Sequence, residues 1–108
     1  MKFIVLMTAI IITVVASDIE AQELGDPVAG LNFAKKVCAE CHWVSPKEST
    51  SLNLGAASFK DIANTPGMTA QALFVWFRTP HPTMPNFKLE IQNEEDVIAY
   101  ILSLKDKD

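Results

Sequence analysis

The chain is poor in the residue types that several classes of protein require. Only two of its 108 residues are cysteines, which excludes a framework of several disulfides. Nine basic residues stand against thirteen acidic ones, and the net charge of −4 argues against nucleic acid as a partner. Beyond residue 21 there is no alternating strand pattern and no internal repeat. With 49% hydrophobic and 20% charged residues, the chain is predicted to form a single globular domain.

The first 21 residues have the layout of a secretory signal peptide. Lys2 supplies a positive charge, residues 3–15 are almost wholly apolar, and the small residues Ala16, Ser17 and Ala21 follow. The apolar run is shorter than the roughly 20 residues of a membrane span. We therefore expect cleavage after Ala21, with cleavage after Ala16 or Ser17 and an uncleaved anchor as alternatives.

Cleavage would leave a small domain of residues 22–108. One positive and two negative charges would leave with the signal, so the net charge of −4 would become −3. A domain of this size buries little apolar surface and is often only marginally stable by itself. A large apolar cofactor around which the chain folds would supply the missing core.

A C-x-x-C-H motif at residues 38–42 indicates which cofactor that is. This is the attachment motif for a c-type haem, in which Cys38 and Cys41 add to two vinyl groups and become thioethers. His42 follows at once and is predicted to bind the iron from one face. A thiol–disulfide motif lacks its βαβ context here, and a zinc site using His42 and His81 lacks a second cysteine pair.

A second iron ligand is expected later in the chain, and Met84 is the preferred candidate. Three prolines within residues 80–85 exclude a helix and stiffen this segment, so its thioether is held with little loss of entropy. Met68, at a helix start, is better suited to filling a gap in the core. His81 would give two histidine ligands and remains the third candidate. Methionine opposite histidine raises the potential of the haem.

Helix signals divide the remainder of the domain into four segments. The predicted helices cover residues 27–37, 58–63, 70–78 and 94–105. Asp26, Ser58, Thr69 and Asn93 are the expected N-caps, because short polar side chains accept hydrogen bonds from the first amides of a helix. The third helix is apolar almost all round and is expected to be buried on more than one side. Residues 43–57 are predicted to form a long loop over the histidine side of the haem.

With these features the chain resembles a class I cytochrome c of the small bacterial periplasmic monohaem type. The haem motif lies near the N-terminus, the Met-Pro loop comes late, and a helix with an aromatic residue closes the chain. The run at residues 76–85 is similar to a subset of small periplasmic members. The resemblance implies an all-α fold in which N- and C-terminal helices cross and long loops wrap one haem. It also implies that Gly30 is the close-contact glycine of that crossing and Tyr100 its aromatic partner.

Two positions depart from the pattern of many relatives. An aromatic residue four positions before the first cysteine is replaced by Ala34, with Phe33 one position earlier. The proline whose carbonyl accepts the proton of the ligand histidine has no counterpart in residues 54–57. Some other carbonyl must orient His42, because ligand histidines donate their second N–H.

The two tryptophans are expected near the haem. Trp43 directly follows the predicted ligand histidine and is interpreted as a cover for the haem edge. Trp76 is expected either to donate to a haem propionate or to pack in the core, because a buried indole N–H needs a partner.

The resemblance implies an electron carrier rather than an enzyme. We expect a monomer that exchanges single electrons with redox protein partners in the periplasm, binds no nucleic acid and is not stably inserted in a membrane. The alternatives are a haem-based ligand binder or sensor with a weak sixth ligand, and a dedicated electron-transfer subunit of a periplasmic dehydrogenase.

Overall fold

A computed structural model describes residues 25–47, 56–80, 84 and 88–107 of the chain. Four α-helices and a 3₁₀ turn lie in these ranges, which contain no strand. The helices are α1 Pro27–Val37, α2 Phe59–Ala63, α3 Ala70–Arg78 and α4 Ile91–Ser103, and the 3₁₀ turn is Cys38–Glu40. Among these elements, no helix combines the length and the apolar character needed to cross a membrane. The predicted all-α class is confirmed for the described ranges.

The first three helices begin at the caps that the sequence predicts. Asp26 accepts a hydrogen bond from the amide of Val28 at 2.9 Å, with Pro27 in the first helical turn. Ser58 accepts from Asp61 at 3.1 Å, and the hydroxyl of Thr69 accepts from the third residue of α3, also at 3.1 Å. Each cap satisfies an amide that has no partner inside its helix, which is why these boundaries can be read from the sequence.

The last helix does not begin where the sequence predicts. α4 starts at Ile91 rather than after Asn93, and Glu90 is its N-cap without a side-chain hydrogen bond. The carbonyl of Glu90 already accepts from the amide of Glu94 at 3.0 Å, so Asn93 lies inside the first turn. The helix also ends at Ser103, two residues earlier than predicted. The assignment of Asn93 as a cap was therefore wrong.

The crossing of α1 and α4 organises the described fold. A Cβ placed on Gly30 would lie 1.9 Å from the carbonyl oxygen of Asp96 and 2.9 Å from Cβ of Tyr100. Only glycine lets the two backbones approach this closely, and the predicted pairing of Gly30 with Tyr100 is confirmed. One turn further along α1, Ala34 is fully buried, so a methyl group stands in the core where many relatives carry an aromatic ring.

One hydrophobic core joins the helices to the segment that follows the C-x-x-C-H motif. Its buried members are Ala34, Val44, Phe59, Ala63, Leu73, Val97, Ile98, Tyr100 and Ile101. α4 supplies four of the nine, which makes it the central element of the packing.

The third helix is less buried than its composition suggests. Leu73 is the buried residue of α3, while Val75 and Trp76 are 64% and 52% exposed. Within the described ranges α3 packs against α4, so the chain itself covers one side of this helix. Trp76 is therefore not part of the core that the polypeptide forms, and burial of α3 on a second side stays a prediction for the haem-loaded protein.

Candidate haem-binding site

The C-x-x-C-H motif forms a tight turn at the end of α1. The helix ends at Val37, and the amide of its C-cap, Cys38, still donates to the carbonyl of Ala34. The amides of Cys41 and His42 both donate to the carbonyl of Cys38, at 3.1 and 2.9 Å. These bonds close the 3₁₀ turn and hold the two cysteines and the histidine in one short stretch of backbone. The packing of α1 against α4 thereby fixes where the motif lies.

The first cysteine of the motif is partly sheltered from water. Burial raises the pKa of the Cys38 thiol from 9.0 to about 11, because the thiolate loses its hydration. At neutral pH the side chain is therefore a protonated thiol. A thiol–disulfide centre depends on a cysteine with a lowered pKa, so this environment is unlike that of a redox-active pair.

A backbone carbonyl from the far side of the long loop orients the predicted ligand histidine. Nδ1 of His42 lies 2.6 Å from the carbonyl oxygen of Ala57. A carbonyl oxygen only accepts, so Nδ1 carries a proton, and in this tautomer of the imidazole Nε2 is the nitrogen whose lone pair can bind a metal. Ala57 lies in residues 54–57, which lack the proline whose carbonyl accepts this proton in many relatives. In this chain the carbonyl of Ala57 accepts it instead.

Two further contacts hold the backbone around His42. The amide of Phe59 donates to the carbonyl of Trp43 at 2.9 Å. The centroid of the Phe59 ring lies 5.4 Å from that of the His42 imidazole, and the two ring planes make an angle of 49°. The hydroxyl of Tyr100 donates to the carbonyl of Val44, and burial raises the pKa of this tyrosine. The segment after the motif is thus tied to both α2 and α4.

An unpaired indole nitrogen completes the site. Among the buried side-chain nitrogen and oxygen atoms of the described residues, Nε1 of Trp43 has no hydrogen-bond partner. Buried N–H groups without an acceptor are rare and costly in native proteins. The site therefore suits a group that brings a hydrogen-bond acceptor, as haem does with its propionates. Together with two thiols and an imidazole of fixed tautomer, this fits haem.

Comparison with known proteins agrees with this donor set. Cytochrome c-552 of Bradyrhizobium diazoefficiens is 32% identical to the chain over 95 residues, which span 88% of this chain and 90% of the relative. The chain belongs to the class I cytochromes c. No protein-family profile matches it, and no solved structure gives a significant match.

Membership of the cytochrome c family makes the chain a haem-binding protein of electron transport and not an enzyme. It favours haem over the thiol–disulfide and zinc alternatives for residues 38–42. In the ranges that the structure describes, no three histidine, cysteine or acidic side chains converge as a metal site.

The sixth ligand of this cytochrome stays a prediction. Met84 is half-buried and lies in a bend, whereas residues 81–83 and 85–87 lie outside the described part of the chain. His81 is one of these residues, and most of the predicted long loop, at residues 48–55, also lies outside the described part of the chain. Met68 packs against the hydrophobic core, which matches the role of gap filler expected for it.

Sequence reasoning missed three contacts of the site. These are the carbonyl of Ala57 on His42, the bond from Tyr100 to Val44, and the ion pair between Arg78 and Glu94. The first two use backbone carbonyls, which every residue carries, so no residue type marks them. The third joins residues on two helices, and an arginine after an apolar run looks like an ordinary helix end.

Proposed function

We propose that this cytochrome carries single electrons between periplasmic redox proteins on one covalently attached haem. Cys38 and Cys41 would form the thioether bonds, and His42 and Met84 would bind the iron. The observation that carries the proposal is the hydrogen bond from Nδ1 of His42 to the carbonyl of Ala57. It fixes the orientation of the imidazole and leaves Nε2 to bind the iron, on a residue that the motif places beside two thiols.

The residues around His42 are suited to electron transfer with little rearrangement. Haem c supplies an iron that changes its charge by one electron, and its potential depends on the axial ligands and on the surrounding polarity. The carbonyl of Ala57 holds the imidazole in one orientation. Phe59 packs beside the ring, and Tyr100 holds the neighbouring backbone, so the imidazole and the chain next to it have little freedom to move.

The periplasmic location rests on the first 21 residues, which we interpret as a cleaved signal peptide. Covalent attachment of haem requires a maturation system outside the cytoplasm, and a secretory signal would deliver the chain there. Its partner proteins would be donors and acceptors of one electron.

The visible spectrum of the natively matured protein tests the proposal. We expect a low-spin spectrum in both oxidation states, no change with carbon monoxide, and a sulfur-to-iron charge-transfer band in the ferric form. In Met84→Ala that band is expected to disappear, and the ferrous protein is expected to bind carbon monoxide.

The control is Met68→Ala, which removes the other methionine of the domain and should keep the band. A band that survives in Met84→Ala and vanishes in Met68→Ala would reverse the assignment. A wild-type protein that is high-spin and binds carbon monoxide would instead support a ligand binder or sensor.

A further inference from the structure

An ion pair joins the end of α3 to the start of α4. Nη1 of Arg78 lies 2.5 Å from Oε1 of Glu94. Arg78 is the last residue of α3, and Glu94 lies in the first turn of α4. The second ion pair in the described ranges, Lys60 to Asp106, is looser at 3.9 Å and joins two exposed side chains. Arg78 and Glu94 therefore form the tighter charged contact of the two.

The carboxylate in this pair is buried, whereas the guanidinium is half in water. The side chain of Glu94 is 6% exposed and that of Arg78 is 58% exposed. A buried carboxylate without a partner is strongly unfavourable, so loss of the pair would destabilise the protein mainly through the unpaired charge of Glu94. Arg78 can meet this need because its remaining N–H groups reach solvent.

The arginine is itself held in position by its own helix. Nη1 of Arg78 also donates to the carbonyl of Phe74 at 3.1 Å, and the guanidinium lies over the Phe74 ring at 5.5 Å. The preceding turn of α3 thus holds the guanidinium in the position in which it pairs with Glu94. A side chain already ordered in this way loses little entropy when it forms the pair.

The residues between the two partners include the proposed sixth ligand. Met84 lies six positions after Arg78 and ten before Glu94. We propose that the Arg78–Glu94 ion pair clamps the two ends of this segment and thereby positions Met84 on the iron. This inference rests on the proposed role of Met84 and adds two positioning residues that touch neither haem nor iron.

The physical basis is the position of the two helix ends between which Met84 lies in the chain. An ion pair that holds the end of α3 against the start of α4 disfavours states in which the methionine lies away from the iron. An external ligand binds only to the fraction of molecules in which Met84 has moved away. Its apparent affinity therefore reports directly on that fraction.

Imidazole titration of the ferric, haem-loaded protein measures the fraction of molecules in which Met84 has left the iron, and so tests the clamp. In Arg78→Gln we expect imidazole to bind about tenfold or more tightly than in the wild type, because the charge-assisted bond to Glu94 is lost. Arg78→Lys keeps the charge without the planar fork and should fall between the two. It also provides a second variant if Arg78→Gln fails to accumulate as haem-loaded protein.

Thr69→Ala is the matched control because it removes the N-cap at the opposite end of the same helix. It should lower the thermal midpoint of unfolding while leaving imidazole affinity within about twofold of wild type. A merely structural role for Arg78 predicts that Arg78→Gln behaves in the same way. Equal imidazole affinity in Arg78→Gln and Thr69→Ala would overturn the clamp.

The failure of the clamp and the failure of the proposed function give different results. If Met84→Ala keeps the sulfur-to-iron band, Met84 is not the ligand and the clamp falls with it. If Met84→Ala loses the band but Arg78→Gln binds imidazole like the wild type, only the clamp is refuted. A band that is weaker in Arg78→Gln, together with tighter imidazole binding, supports both.

Discussion

Trp43 shows how a single residue in this cytochrome is suited to a partner outside the chain. Its indole nitrogen is buried and has no acceptor among the described residues. A buried N–H that stays unpaired destabilises a protein by about 1–3 kcal/mol. We therefore expect an acceptor for this nitrogen in the haem-loaded protein, and Trp43→Phe, which keeps the aromatic ring, should lower the free energy of unfolding by about 1 kcal/mol.

Urea unfolding followed by haem absorbance checks this prediction without relying on tryptophan fluorescence. Val28→Ala is the control, because Val28 is 66% exposed and its truncation should change the free energy of unfolding by less than about 0.5 kcal/mol. A Trp43→Phe protein that is as stable as the wild type, or more stable, would mean that the N–H gains no acceptor.

At the scale of elements, the contact between α1 and α4 depends on one missing side chain. A Cβ on Gly30 would overlap the backbone of Asp96, which cannot move away without displacing α4. Gly30→Ala should therefore lower the free energy of unfolding by about 3 kcal/mol or more, at the upper end of overpacking effects.

Gly67 offers a glycine control with a different cause. It has a φ of +77°, and nothing lies within 4 Å of a Cβ placed there. Gly67→Ala should cost about 1–2 kcal/mol from the left-handed backbone alone. Comparison of the two urea unfolding curves separates close packing from backbone conformation. A cost for Gly30→Ala no larger than that for Gly67→Ala would contradict the tight crossing.

The elements also mark where reading the sequence succeeded and failed. Asp26, Ser58 and Thr69 act within a few residues of chain, so their helices could be predicted. The start of α4 could not be predicted, because residues distant in sequence contact its first two turns. Arg78 pairs with Glu94, and the carboxylate of Asp96 accepts from the amide of Asp26 at 2.8 Å. Acidic residues that suit a solvated first turn are in fact buried partners of other elements.

At the scale of the whole molecule, the haem motif was readable because its chemistry is local. Five consecutive residues supply the two thiols and the imidazole, whereas the carbonyl that orients His42 comes from 15 residues further along. The fold class followed from helix signals and the absence of strand patterns. The partners of the histidine and the ion pair between Arg78 and Glu94 form only when the helices pack, so no local pattern indicates them.

The last feature at the scale of the whole molecule is export of the chain to the compartment in which haem would be attached. If residues 1–21 are a cleaved signal, the haem-loaded protein from the periplasm begins at Gln22 and its mass includes one haem. Leu6→Arg places a charge in the apolar run, which disfavours membrane insertion by about 2.5–3.5 kcal/mol. We expect this variant to stay in the cytoplasm without haem.

N-terminal sequencing and intact mass measurement distinguish the possible outcomes. A start at Ser17 or Asp18 would move the boundary to one of the alternative cleavage sites and leave the export route intact. A start at Met1 in a haem-loaded, membrane-associated protein would mean that the apolar run is an anchor. Haem attached to the Leu6→Arg protein would contradict the dependence of attachment on export, because the two thiols would then have reacted without crossing the membrane.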